Sequence, residues 1–149
     1  MRATLAGLAL LLAAGPSALA GDAPLLGVGF AQAEEGTWWC HGETVGATLD
    51  CARQRCLAES GGQDCVATRW CFPAGWSALM VAWLPEFHTT HVLCGMPGPE
   101  AAAAAARGIC EAGAEFSRCE LMLTIDPGGT EHPVADSSWP GGAALGTPD

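Results

Sequence analysis

The sequence predicts an α+β protein: a duplicated ββαβ unit whose mostly antiparallel sheet carries two helices on one face, stapled by disulfides. Three observations predict it. Cys40, Cys56 and Cys65 are spaced 16 and 9 apart, and Cys94, Cys110 and Cys119 repeat both spacings at an offset of 54. Residues around them agree at the same offset, among them Ala47 with Ala101, Arg53 with Arg107, Pro73 with Pro127 and Gly75 with Gly129. Matched spacing with matched flanks reads as an internal duplication. Within each copy, two β-rich runs precede a helical stretch and a third β-rich run, so the helices must cover a sheet face.

The elements follow in order. Residues 1–20 have the form of a signal peptide. Arg2 supplies a positive start, Leu5 to Ala14 is an apolar run too short to span a membrane, and Ala18-Leu19-Ala20 offers a small-residue cleavage site. A single disulfide-rich domain then covers 21–127, with repeats at about 25–73 and 76–127. Leu25 to Ala31 and Thr37 to His41 form a hairpin about Glu34-Glu35-Gly36. Thr44 to Ser60 is a helix. Val45, Leu49, Ala52 and Cys56 share its apolar face, Thr44 can cap it, and Gly61-Gly62 ends it. Asp64 to Phe72 alternates as a strand and stops at Pro73-Ala74-Gly75. In the second copy, Trp76 to Leu84 and Phe87 to Gly95 are strands. Pro99 and Glu100 open a helix through the alanine run 101–106, and Ser117 to Asp126 closes the unit. Residues 128–149, rich in Pro, Gly, Ala and Ser without periodicity, read as a disordered tail, with Trp139 solvated in it.

The eight cysteines survive signal removal, and an even count in a small exported chain reads as a disulfide framework. Cys56 with Cys65 and Cys110 with Cys119 are expected pairs, each joining a helix's last turns to the following strand. Cys51 and Cys71 are both missing from the second copy, where Ala105 and Ile125 stand, as partners would be. Geometry opposes that pairing. From a Cys56–Cys65 anchor, five helical residues advance about 7.5 Å and six strand residues about 20 Å. Parity then leaves Cys40 with Cys94, equivalent positions that would meet across a pseudo-twofold axis. The connectivity of Cys40, Cys51, Cys71 and Cys94 stays open at this point.

The pieces Ala52-Arg53-Gln54-Arg55-Cys56, Gln63-Asp64-Cys65-Val66-Ala67 and Trp76-Ser77-Ala78-Leu79-Met80-Val81-Ala82 give an Ala-rich helix ending in Cys, then Asp-Cys and an aliphatic strand. In this the chain resembles a family of small secreted bacterial Cys-rich domains of unknown function, over roughly 25–127. The resemblance implies no reaction and no catalytic residues. Ala, Gly and Arg usage over Lys also suggests a GC-rich bacterial source.

Composition narrows the function. The formal charge is −10, lysine is absent, and the arginines are scattered. No basic stripe exists to neutralise phosphates, which argues against nucleic acid and against an anionic membrane surface. His88, His91 and Cys94 have a three-residue rhythm, but Thr89, Thr90 and Val92 argue strand, which turns His91 away from the other two. A metal site is not expected. Cys40-His41 places a thiol beside a base, yet neighbours on a strand point apart. Glu34, Glu35, Glu43, Asp50, Glu86 and Asp126 could supply an acid pair, and nothing in the sequence selects two of them. Among the tryptophans, Trp38 and Trp39 are adjacent on a strand, so one of them faces out if the sheet has a wet face. They are the candidate binding surface, with core packing as the competing role.

The reading is an exported binding or interaction module, periplasmic or secreted. It needs no cofactor, has no catalysis identified, takes an unknown protein or glycan ligand, and is not inserted in a membrane after signal cleavage. The alternatives are a small periplasmic hydrolase using an acidic pair and a structural cell-envelope component. Convergent carboxylates in a pocket would mark the first; a convex polar surface would mark the second.

Overall fold

A computed structural model describes residues 25–62 and 64–145. The signal segment, 1–20, and the last residues of the expected tail, 146–149, lie outside the described residues. Strands β1 (Gly27–Ala33) and β2 (Gly36–Gly42) form the first hairpin, followed by helix α1 (Val45–Glu59) and β3 (Val66–Cys71). The second unit runs β4 (Trp76–Trp83), β5 (His88–Met96), α2 (Pro99–Ala112) and β6 (Arg118–Ile125). Every strand and helix read from the pattern is present, and the class is α+β with antiparallel sheets.

The strands divide into two sheets where one was expected. The first is ordered β2-β1-β3, the second β5-β4-β6. In both, the unit's first strand is central and the other two flank it, because the helical crossover returns the third strand to the free edge of the first. Alternation along β1 explains the layers. Val28 and Phe30 are buried against Leu79, Val92 and Ile125 of the second sheet. Ala31, on the opposite face, packs under Ala52 and Cys56 of α1. Likewise Ala78, Met80 and Ala82 of β4 lie under Ala102, Ala106 and Cys110 of α2, while Leu79 faces the first sheet. The order of layers is therefore α1, sheet, sheet, α2. The helices cover two outer faces instead of sharing one.

Small residues set the helix-to-sheet distance. A Cβ on Gly29 would stand 3.0 Å from Thr48 Cγ2, and one on Gly42 would collide with Thr48 Oγ1. This close approach selects the stripe Thr48, Ala52 and Cys56 as the buried face of α1. Val45, expected on that face, is 49% exposed. The Thr48 hydroxyl is satisfied locally, donating to the Thr44 carbonyl at 2.7 Å. Gly61 and Gly62 end the helix with φ of 71° and 89°, a region open to glycine.

Four disulfides are present. Cys56–Cys65 and Cys110–Cys119 join each helix to its following strand, with Cα separations of 6.0 Å and 5.9 Å. The other two are Cys40–Cys51 and Cys71–Cys94, each with Cα atoms 5.9 Å apart. They replace the pairs considered from the sequence, Cys51 with Cys71 and Cys40 with Cys94. Cys71 stands opposite Val28 on the face between the sheets. Cys51 belongs to α1, on the other side of that sheet, so the sheet separates the two. Cys40, opposite Gly29, faces α1 and reaches Cys51, while Cys94 faces the first sheet and reaches Cys71. Cys40 and Cys94 thus sit in separate sheets, and no bridge joins equivalent positions.

The region expected as a loose tail is ordered over 131–145. Strands β7 (Glu131–Pro133) and β8 (Ser138–Pro140) pair with β6, and α3 (Gly142–Leu145) is a single helical turn. The cause is β6 itself, which offers its second edge to whatever follows. Trp139, opposite Cys119, packs against the α2 core together with Val134. Three-residue strands are too short to leave a readable period in the sequence.

Candidate functional site

The two hairpin turns lie at one end of the sandwich, and a cleft of about 410 Å³ opens between them. Gln32, Ala33 and Glu34 line one side, Phe87 to Thr90 the other. Two chemistries meet there. Phe87 is 62% exposed at the mouth. The carboxylates of Glu34 and, next to Phe87, Glu86 are exposed as well.

The wall formed by β5 is a strand edge. Leu84 N–H donates to the Phe87 carbonyl at 2.8 Å, closing the hairpin. Antiparallel pairs alternate between bonded and non-bonded. From Leu84 and Phe87, the next bonded pairs are Ala82 with Thr89 and Met80 with His91. The backbone groups of His88 and Thr90 therefore turn away from β4. The geometry at Gln32 agrees: its Nε2 donates to the Thr90 carbonyl at 3.2 Å and contacts Thr37 Oγ1 at 3.3 Å. Further along β5, the Cys71–Cys94 bridge ties the strand to β3. The edge is open in the cleft from His88 to the Thr90 N–H, where Gln32 takes the Thr90 carbonyl.

His88 is held by a row across the second sheet. The Arg118 guanidinium lies 4.5 Å from the centre of the Trp83 ring, and the Trp83 and His88 ring centres are 5.0 Å apart. Such stacking fixes rings at a modest free-energy gain, about 0.5–1 kcal/mol at an exposed site.

Trp38 and Trp39, expected as a binding surface, lie on opposite faces of β2, and both are half-buried. Trp38 packs against the α1 layer and donates its indole N–H to Glu59 Oε2 at 2.8 Å. The Arg55 hydrogen bond and then that of Trp38 hold the Glu59 carboxyl below the usual range. Trp39 packs against the core between the sheets, with Arg55 5.6 Å above its ring. His91 faces α2 and contacts the Phe116 ring, away from His88. Burial lowers its pKa, Glu115 opposing and Arg69 adding to the shift. Cys94 and Cys40 are in disulfides. Among the described residues, no group of three or more His, Cys, Asp or Glu is placed to hold a metal ion.

At the opposite end, Asp126 organises the turn after β6. Its Oδ1 accepts from Gly128 N–H at 2.8 Å and Thr130 N–H at 2.9 Å, and its Oδ2 lies 3.3 Å from His132 Nε2. The Thr130 amide first, then His132 and Gly128, lower its pKa to about 2. His41 sits beside Gly129 of this turn, its own pKa lowered by burial against the opposing pull of Asp126. This carboxylate is occupied in holding a loop.

No motif or periodicity in the sequence marks Gln32, Phe87 or Thr90 as site residues. The available signal was an aromatic residue directly after Pro85-Glu86, in a turn where burial gives no reason for it. No known family model, no curated protein and no solved structure matches this chain.

Proposed function

We propose that the chain is an exported, disulfide-stapled binding module that engages its partner in the cleft between the β1–β2 and β4–β5 turns. The observation that carries this reading is the exposed Phe87 beside an open strand edge in a concave site. Exposed aromatic side chains in such positions anchor partners. The disulfides support an oxidising compartment. Trp38 and Trp39 serve this site as the packing that fixes β2. The acid-pair hydrolase reading is less well supported, because Asp126 is committed to its own turn.

The test is site-specific photo-crosslinking of the oxidised protein in envelope extracts. A photoreactive phenylalanine at position 87 should give discrete adducts, and one at position 109, on the outer surface of α2, should not. Equal adduct patterns at both positions, or none at position 87, would remove the cleft as the site.

A further inference from the structure

We infer that the partner presents an extended, basic peptide segment, which adds as a strand to the first half of β5. This rests on the cleft being the binding site. Three observations carry it.

The first is direction. The backbone groups of His88 and Thr90 point away from β4, and among the described residues no strand pairs with β5 on that side. Exposed edges of this kind are templates for an added strand. The second is Gln32. Its side-chain amide already donates to the Thr90 carbonyl, as the N–H of a neighbouring strand would. It also marks where the open stretch ends, leaving the His88 groups and the Thr90 N–H for a ligand. The third is charge. Glu34 and Glu86 flank the cleft in a chain of net charge −10, and no Lys or Arg lines it. An extended ligand alternates its side chains between faces, so cationic residues can meet Glu34 and Glu86 while apolar ones meet Phe87. An acidic segment would be repelled.

The experiment uses the full oxidised protein and pools of nine-residue peptides. One pool carries Arg at alternate positions with Val, Thr or Phe between them; a second carries Glu in place of Arg. Two further versions of the arginine pool are N-methylated, either at the arginines or at the intervening residues. A paired strand uses only one of those two sets of amides. The arginine pool should bind at least about tenfold more tightly than the glutamate pool. It should also slow hydrogen exchange at the Thr90 and His88 amides, and exactly one N-methylated version should lose binding. Glu34→Arg with Glu86→Arg should reverse the preference between pools. Equal binding of both pools, failure of all pools, absence of Thr90 protection, or equal behaviour of the two N-methylated versions would overturn the inference. Crosslinking at position 87 would then still stand as support for the cleft. Arginine-pool binding that Phe87→Ser leaves unchanged would overturn both.

Discussion

Gly42 and Thr48 show how single residues fix the spacing of a layer. Thr48 is fully buried in α1, and the absence of a side chain at Gly42 is what lets it reach β2. Gly42→Ala is expected to destabilise the fold by about 1–3 kcal/mol, as overpacking of a close contact does. The colliding atom is Thr48 Oγ1, so Thr48→Ala in the same chain should recover part of the loss. Urea unfolding of the two single variants and the double variant measures this coupling. Additive effects would mean that the two layers do not meet at this contact. The same scale explains why Thr48 joins Ala52 and Cys56 on the buried helix face in place of Val45. Val45 is the more apolar residue, but apolarity does not decide burial where the sheet supplies glycine as the facing surface.

Among the elements, β2 and β5 differ in how their cysteines face. Cys40 lies four residues past Gly36, which closes the first hairpin, and Cys94 lies seven past Phe87, which closes the second. With a period of two, one even and one odd count put the sulfurs on opposite faces. Matching by the offset of 54 hides this, because the offset aligns cysteines and not turns. The consequence is a division of labour. Cys40–Cys51 pins α1 to its own sheet, whereas Cys71–Cys94 is the covalent link between the sheets. Chain entropy alone gives each about 3 kcal/mol, slightly more for the longer Cys71–Cys94 loop. Cys71→Ser with Cys94→Ser should therefore lower the melting temperature at least as much as Cys40→Ser with Cys51→Ser. It should also raise hydrogen exchange at Val28, Phe30 and Val92, between the sheets. Exchange confined to the α1 side in that variant would contradict the assignment of the bridge.

For the whole molecule, two half-buried histidines make stability depend on pH. His41 faces the gap between the sheets and His91 the α2 layer, and burial lowers both pKa values below 6.5. The folded state thus prefers them neutral. The unfolded chain takes up protons first as pH falls below 6.5, so the stability present above that value is lost progressively on acidification. Asp126 near His41 and Glu115 near His91 reduce the effect without reversing it; Arg69 adds to it at His91. Melting temperature should fall between about pH 7.5 and about pH 5, and His41→Gln with His91→Gln should flatten that limb. An unchanged slope in the double variant would show that other groups carry the dependence.

The sequence by itself determined the elements from β1 to β6 and their order, because hydrophobic period and helix stops are local properties of the chain. It determined the class, and it determined the two helix-to-strand bridges, Cys56–Cys65 and Cys110–Cys119, where short loops leave few partners within reach. Tertiary structure decided the division into two sheets, the ordering of 131–145 and the remaining bridges. Each of these depends on which strand edge is filled and which face a side chain takes, and those are settled only when distant segments pack. The cleft belongs to the same group. Gln32 and Thr90 are far apart in the chain, and their meeting follows from two hairpins ending at the same end of the sandwich. No local pattern records that meeting, since it is a relation between two sheets and not a property of either.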